Sequence, residues 1–560
     1  MRVEEGFQPT PYTEGNPYTT DTVLPSLLKR LLPAAVYSEV YADLESFGTE
    51  VLTTLPSLSQ KVAEPRLVQY DHWGKRIDDL QTSEGWRGLK AKMQEEGIIG
   101  IFYERQYKEL SRVYGFAKMF LASGSSHVIF CPLSMTDGSA RVLETIGTPA
   151  MQEDILPRLI SRDPEIAFTA GQWMTERPGG SDVSQTETVA TRVSNVTSPY
   201  GPVYTINGFK WFSSATDSDV ALALARTGPP NSGSRGLSLF LIPLRRPLIR
   251  PASAPRPSAL SNNIKVHRLK NKVGTKILPT AELSLEGAEA YLLGPINQGV
   301  KLIAPVLNIT RIHSAIGSVG SLRRCLAVAT AYSSVRSIAA GKQLLKDTPL
   351  HVAELAKVNV LYRALVHLTF GAVALLGKTE CGVASEGEEM RLRMLTPAVK
   401  AFASDKASGA MEECMAALGG QGYMEENGFG TVISSCPPPL AQQLAAPLTS
   451  LQAALRDVAS SYTPPIPSLL PRPALSLFSH VASALYLLEH AIWAVETGEK
   501  TASIDVEVFH RWVDEEGLKT AVEDVHRIRV AGDARSRTNS DIVYGTVSTV
   551  SLEDQIRAHL

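Results

Sequence analysis

Residues 174–184 read MTERPGGSDVS, and further along the chain residues 206–219 read INGFKWFSSATDSD. In the first stretch Thr175, Gly179, Gly180 and Ser181 offer backbone N–H groups free of bulky side chains, together with two hydroxyls. A loop of this composition can approach a pyrophosphate or the edge of a flavin closely. It can equally be a surface turn, since Gly, Pro, Ser and Asp all favour turns. In the second stretch Asn207-Gly208 is a hairpin-turn signal that would deliver Trp211 beside the hydroxyl of Ser213. An indole can stack on a flat heteroaromatic ring while a hydroxyl bonds the ring edge; a core tryptophan beside a strand serine is the alternative. A third stretch, ALGGQGYMEENG at 417–428, places Gly419, Gly420 and Gly422 at the end of a helical segment, where alone they form a helix cap.

The elements around these stretches change character along the chain. Residues 1–165 carry apolar positions at helical spacing, as in TVLPSLLKRLLPAA, YADLESFGTEVLTTLPSLSQKV and EGWRGLKAKMQEEGIIGIFYERQ. Residues 166–290 hold short β-rich runs (PEIAFTA, TVATRV, VYTING, VALALAR, LSLFLIP, AELSLEG) between turn residues, which predicts a small antiparallel barrel or sandwich. From 291 to 430 the helical period returns, beginning with a long helix whose Ala315, Gly317, Ser318 and Gly320 permit close helix–helix approach. Residues 431–475 are nearly uncharged and rich in proline, and read as an irregular insert. Helical texture resumes over 476–560. The fold class is therefore α+β: an N-terminal helical domain, a central β domain, a C-terminal helical bundle, and a helical extension with a tail.

A chain of 560 residues exceeds one ordinary core, and its 44% apolar and 20% charged content is that of a globular protein. The formal net charge of −2 argues against a dedicated nucleic-acid binder. Between Val220 and Ala281, however, there is no Asp or Glu against eleven Lys and Arg, which reads as a solvated basic face or a surface that meets phosphates. The five cysteines lack metal-ligand spacing, so neither a zinc site nor a disulfide framework is expected. No apolar run approaches the ~18–20 residues of a membrane span, and no membrane partner is expected. Ala558-His559-Leu560 have the small–basic–Leu form of a peroxisomal address, with a cytoplasmic location as the alternative.

Taken together and in this order, the motifs resemble the acyl-CoA dehydrogenase family, and within it the AidB-like flavoproteins. The resemblance covers roughly residues 8–430. MTERPGGSDV is similar to the family's flavin signature, and FKWFSSATDSDVALALART to the segment typical of the AidB-like branch. QPTPYTEGNPYTTDTVL, EPRLVQYDHWGKRID, RLKNKVGTK and PVLNITRIHSAIG add to it, and ALGGQGY resembles the turn that touches a neighbouring subunit's FAD. The resemblance implies FAD as cofactor, an acyl-CoA as substrate, and a homodimer or homotetramer. It also implies roles. Thr175 would bond the pyrimidine side of the flavin, Gly180 would belong to the binding loop, and Ser181 would meet the pyrophosphate or the substrate. Trp211 would cover the ring and Ser213 would approach N5. Gly419, Gly420 and Gly422 would lie against FAD across a subunit interface. Arg336 would reach a partner's FAD pyrophosphate, although RSIAAGK has one residue more than the family pattern and lacks its Phe.

Dehydrogenation of an acyl-CoA also needs a carboxylate against the α-carbon and hydrogen bonds to the thioester carbonyl. The family's usual glutamate motif beyond the glycine turn is missing; the chain there reads TVISSCPPPLAQQLAAPLTSLQ. The position before the arginine of the first bundle helix, used by some members, falls in Asn308-Ile309-Thr310-Arg311. The catalytic base is thus unassigned. Three readings stay open: a divergent loop in which Glu425, Glu426 or Asp457 has taken over, retention of FAD with loss of the reaction, or loss of a stretch of sequence. The function the resemblance implies is α,β-desaturation of an acyl-CoA in fatty-acid or secondary-metabolite (toxin) metabolism. The alternative is an FAD-holding protein with a DNA-binding, protective role.

Overall fold

The computed structural model describes residues 10–251, 257–424, 466–515 and 517–532, with a few isolated positions between 454 and 464 and after 532. Glu425, Glu426, most of the Pro-rich stretch and Ala558-His559-Leu560 lie outside the described residues. The described residues form two compact units, the larger within Met1–Tyr362 and Thr369–Pro439, the smaller within Arg363–Leu368 and Leu440–Leu560.

The larger unit opens with helices α1 (Leu24–Leu31), α2 (Ala34–Ser59), α3 (Glu84–Glu95), α4 (Gly100–Glu104), α5 (Ser111–Ala122), α6 (Phe130–Ile146), α7 (Pro149–Asp154) and α8 (Leu156–Leu159). Between α2 and α3 lies a hairpin the helical pattern had hidden, β1 (Arg66–Tyr70) with β2 (Arg76–Gln81). Its short strands are only half-buried, so no strong alternation marks them in the sequence. The β domain follows: β3 (Ala170–Trp173), β4 (Val189–Ser198), β5 (Gly201–Ser214), β6 (Val220–Arg226), β7 (Leu237–Pro243), β8 (Ile264–Leu269) and β9 (Thr280–Leu293). The order β6-β4-β5-β9-β7 closes through β6–β7 pairing into a small barrel, with β3 added beside β6 and β8 beside β9. The barrel is not wholly antiparallel as expected, because β3 and β6 run parallel, Ala170 opposite Val220 and Trp173 opposite Ala223. β6 and β7 are buried at every position and therefore read as continuous apolar runs.

Asn207-Gly208 does not turn a hairpin. β5 runs through it with a register shift, and the reversal occurs earlier, where Gly201 takes φ +96°. Gly208 is needed because a Cβ there would stand 2.4 Å from the Oγ1 of Thr188, the residue just ahead of β4. Inside the barrel Trp173, Phe240, Ile242, Val266 and Leu283 pack together, while Leu222, Leu239 and Leu241 pack outward with Met151, Ile155 and Val306 of the helical layer.

The helical layer continues with α9 (Gly299–Val335), a small hairpin of β10 (Ser337–Ile338) and β11 (Gln343–Leu344), then α10 (Pro349–Glu380) and α11 (Glu386–Ala417). Ser385 and Glu388 close a reciprocal capping box at the start of α11. Arg112 on α5, only 2% exposed, ties this layer together. It meets Asp137 of α6 at 2.6 Å and Glu380 of α10 at 2.6 Å, and its guanidinium lies 4.1 Å from the Phe102 ring centre. His313 of α9 and the Tyr103 hydroxyl also reach Asp137, at 2.7 and 2.8 Å. Burial alone would raise the Asp137 carboxyl, but Arg112 and His313 outweigh it and hold the group well below the usual carboxylate range.

In the smaller unit α12 (Pro471–Glu496), α13 (Ala502–Asp514) and α14 (Leu518–Ala531) pack together, with Trp512 Nε1 donating to His480 O at 3.1 Å. α9, α10 and α12 are long and apolar enough, by length and composition, to cross a membrane, which the sequence reading had not anticipated. Between 50% and 83% of their apolar windows is buried inside the protein, so much of that apolar character packs against other elements.

Candidate functional site

β3 ends at Trp173 and the chain turns at once into the glycine loop. Glu176 and Gly179 exchange backbone hydrogen bonds of 3.0 and 3.2 Å, closing a tight ring. A Cβ on Gly179 would fall 2.0 Å from Asp182 O, so only glycine lets the loop close. Gly180 backs onto Thr175, where a Cβ would stand 3.1 Å from the methyl group. β5 runs alongside: Trp211 N donates to Thr175 O at 3.0 Å, and Trp173 Nε1 donates to Ser214 O at 3.1 Å. Thr175, Gly180, Ser181, Trp211 and Ser213 thus stand on one loop and the strand bonded to it.

What joins loop to strand is a buried ion pair that the sequence reading passed over. Lys210 Nζ lies 2.6 Å from Glu176 Oε1; the two side chains are 0% and 3% exposed. The ammonium also donates to Leu224 O at 2.9 Å, and the other carboxylate oxygen accepts from the N–H groups of Glu187 and Thr188 at 2.7 and 3.3 Å. Burial would raise the Glu176 carboxyl, but Lys210 and these donors outweigh it and hold the group below its ordinary value. The signal was present, since each residue adjoins one that was singled out. Nothing local to either says that the two meet.

Trp211 is half-buried, with Lys270 Nζ 3.2 Å from its ring centre and the Arg177 guanidinium 5.0 Å away. Lys270 is held there by Glu282 at 2.7 Å, which also pairs with Arg268 at 2.7 Å. This anchors the indole by a cation–π contact. Ser213 is fully buried, yet its Oγ has no hydrogen-bond partner among the described residues. The hydroxyls of Thr175 and Ser181 make no hydrogen bond among the described residues either. Beside Ser213, the Ser214 hydroxyl meets Thr280 Oγ1 at 3.0 Å, and Lys272 Nζ donates to the same oxygen at 2.7 Å. Burial pushes the Lys272 ammonium down to about 8, outweighing an opposing charge interaction with Cys131. Unmatched hydroxyls around an anchored indole are what a flat, hydrogen-bonding ring requires, so these residues fit a flavin.

The other expected residues stand elsewhere. Arg336 caps the C-terminus of α9, and the extra residue of RSIAAGK is absorbed in the following hairpin, where Ala339 and Ala340 take φ of +52° and +56°. Gly419, with φ +61°, and Gly420 follow α11 with open space where a Cβ would be. Gly422 serves packing, since a Cβ there would lie 2.0 Å from Met415 O. α9 carries no Asp or Glu along its whole length.

The acid-free basic stretch looks different in three dimensions. Arg226 is buried and clamps two loops, donating to Ser184 O at 2.9 Å, Thr186 O at 3.0 Å and Gly233 O at 3.0 Å. Arg246 pairs with Glu289 at 2.7 Å, Lys265 with Glu286, and Lys276 with Glu64 at 3.7 Å. Five of the eleven cations, Arg246, Lys265, Arg268, Lys270 and Lys276, therefore pair with carboxylates outside the stretch.

Three family descriptions match in succession: the N-terminal domain of the adaptive response protein AidB over residues 7–165, the acyl-CoA dehydrogenase middle domain over 171–288, and the acyl-CoA dehydrogenase C-terminal domain over 297–437. The chain is 42% identical over 439 residues to acyl-CoA dehydrogenase family member 11 of Caenorhabditis elegans, covering 76% of this chain and 68% of the relative. It is 27% identical over 429 residues to AidB of Escherichia coli (strain K12), covering 75% and 74%. The crystal structure of Caenorhabditis elegans ACDH-11 in complex with C11-CoA superposes with a TM-score of 0.81 at 32% identity, covering 98% of this chain and all of that one.

Two outcomes follow from this geometry. Glu176→Gln strands Lys210 as a buried charge and should cost about 3–5 kcal/mol in denaturant unfolding, whereas Glu176→Gln with Lys210→Met should recover most of that loss. For Lys272, whose folded pKa is lowered to about 8, the folded state binds fewer protons than the unfolded state between that value and the ordinary lysine range. The group therefore costs stability below pH 8, and that cost is relieved as pH rises toward about 10.4. Lys272→Met should flatten the difference in unfolding free energy across this window and be the more stable protein at pH 7.

Proposed function

The chain belongs to the acyl-CoA dehydrogenase family, whose members are FAD-dependent oxidoreductases, and on that premise we propose that it desaturates an acyl-CoA thioester to the α,β-enoyl-CoA. The observation that carries this is the buried Ser213 hydroxyl, without a hydrogen-bond partner among the described residues, two residues along from the anchored ring of Trp211. Bound FAD supplies the acceptor for the β-hydride. Thr175, Ser181, Trp211 and Ser213 would hold it: the indole as an apolar wall, the hydroxyls as hydrogen-bonding groups, the glycine loop as a surface that bulky side chains do not obstruct. An acyl-CoA as substrate class draws support from the ACDH-11 complex with C11-CoA. A fatty acid or a secondary-metabolite acid as the acyl group belongs to the same proposal.

Removal of the α-proton requires a carboxylate, and α9 supplies none. Glu425, Glu426 and Asp457 are the positions to replace one at a time. The DNA-protective alternative rested on the missing base and on the basic stretch; the internal pairing of Arg246, Lys265, Arg268, Lys270 and Lys276 weakens only the second of these supports.

Mixed anaerobically with straight-chain acyl-CoAs of graded length, the yellow protein should lose its visible flavin absorbance with at least one of them. A yellow protein that no acyl-CoA bleaches would sink the desaturation reading. We include a homodimer or homotetramer in the proposal, because Gly419 and Gly420 leave open backbone where a neighbour's FAD could approach. Light scattering should then give two or four times 60.6 kDa, and a mass of one chain would overturn it.

A further inference from the structure

A second site lies away from the glycine loop, at the end of the sheet where β3 and β6 begin. There a cleft of about 630 Å³ opens between β2, α3, the segment before β3 and the chain that follows β7. Leu80, Phe168 and Leu248 give it an apolar floor. Five cations line it, Arg87, Lys90, Arg158, Arg245 and Arg250, against the carboxylates Glu165, Asp217 and Asp219.

The cations differ in their commitments. Lys90 lies 3.4 Å from Asp217, and Arg245 donates to Ser218 O at 2.7 Å and Ser258 O at 3.0 Å. Arg87, Arg158 and Arg250 pair with no carboxylate among the described residues. Arg87 donates to Thr82 O, and Arg250 to Pro247 O and Arg246 O at 3.1 and 3.2 Å. Arg158 stands 5.4 Å from the Phe168 ring centre. Three guanidinium groups from three separate elements thus share one cleft, and none of them is held in a salt bridge among the described residues. A guanidinium fork matches phosphate oxygens in geometry and charge. The volume falls within the roughly 300–1,000 Å³ of small-molecule sites, and the floor offers a flat organic group an apolar face.

We propose that this cleft binds a nucleotide-sized organic phosphate, with the phosphates on Arg87, Arg158 and Arg250 and the ring over Leu80, Phe168 and Leu248. Two sources share that chemistry: the phosphorylated adenosine end of a CoA thioester, and a free adenine nucleotide. The site goes beyond the desaturation reading and does not depend on it, since the measurement below reads binding and not flavin reduction.

Titration calorimetry of the flavin-loaded full-length protein with 3′,5′-ADP and with ATP, using adenosine as control, tests the proposal. Saturable binding of at least one phosphate ligand is expected, weakened about ten-fold or more by Arg158→Gln or Arg250→Gln. Should either variant fold poorly, Arg87→Gln, at an exposed position on α3, gives the same reading. No saturable binding, equal affinity in correctly folded variants, or adenosine binding as tightly as the phosphates would each overturn the proposal. A repeat with saturating non-reactive acyl-CoA thioether separates the sources. Loss of nucleotide binding identifies the CoA end, and unchanged binding identifies a separate nucleotide site.

Discussion

The Glu176–Lys210 pair is the constraint on which the candidate flavin site depends. Burying one of these charges without the other is far more costly than burying neither, so once the barrel closes the two side chains must find each other. Their backbone neighbours follow. Thr175 is carried by Glu176 and Trp211 by Lys210, and the bond from Trp211 N to Thr175 O is the short step between them. Slipping β5 by one residue would turn Lys210 out of the core and bring Trp211 in, which the pair forbids. Between Lys210 and Ser213 the strand then takes three residues where β9 takes two, from Leu283 to Ala281. Such a bulge re-aims side chains, and here it sits where Trp211 and Ser213 must face a ligand.

Around this pair the charges are arranged by partnership. Glu282 holds Lys270 against the indole and Arg268 beside it, while Arg226 ties the segment after the glycine loop to the connection between β6 and β7. What reads along the chain as a run of unopposed cations becomes, in three dimensions, a set of ion pairs with carboxylates from β9 and from the segment before β1. Arg245 and Arg250 of this stretch instead line one cleft, where they join Lys90, Arg87 and Arg158 from other parts of the chain.

The helical layer obeys the same rule in its core. Arg112 joins α5, α6 and α10, and Asp137 adds α9 through His313 and α4 through Tyr103. With its ionised members within hydrogen-bond reach of one another, the network gives apolar helices a specific register that dispersion alone would not. α9 owes its other peculiarity to composition: it has no carboxylate, so it cannot supply the proton acceptor that some relatives of this fold place there.

Much of the architecture was legible in the linear chain, because a period near 3.6, a period of two and glycine-rich punctuation are local properties. The helices of the first domain, five of the six apolar runs, the long α9 and the glycine loop could all be read that way, whereas PEIAFTA shares only Ala170 with β3 and β8 was not read; the motifs MTERPGGSDV, FKWFSS and ALGGQGY carried the family resemblance. Tertiary structure decided the rest, for reasons of distance. Asn207-Gly208 is a turn signal by local chemistry, but Thr188, just ahead of β4, presses on Gly208 and makes the glycine a point of close approach within a continuous strand. Lys210 and Glu176 are ordinary surface residue types until the barrel buries them together. Part of the basic stretch is paired off once Glu282, Glu286 and Glu289 fold against it. Sequence alone specified which residues could do chemistry, since that is a matter of side-chain type. Which of them remain free to do it depended on partners that only the folded chain brings near.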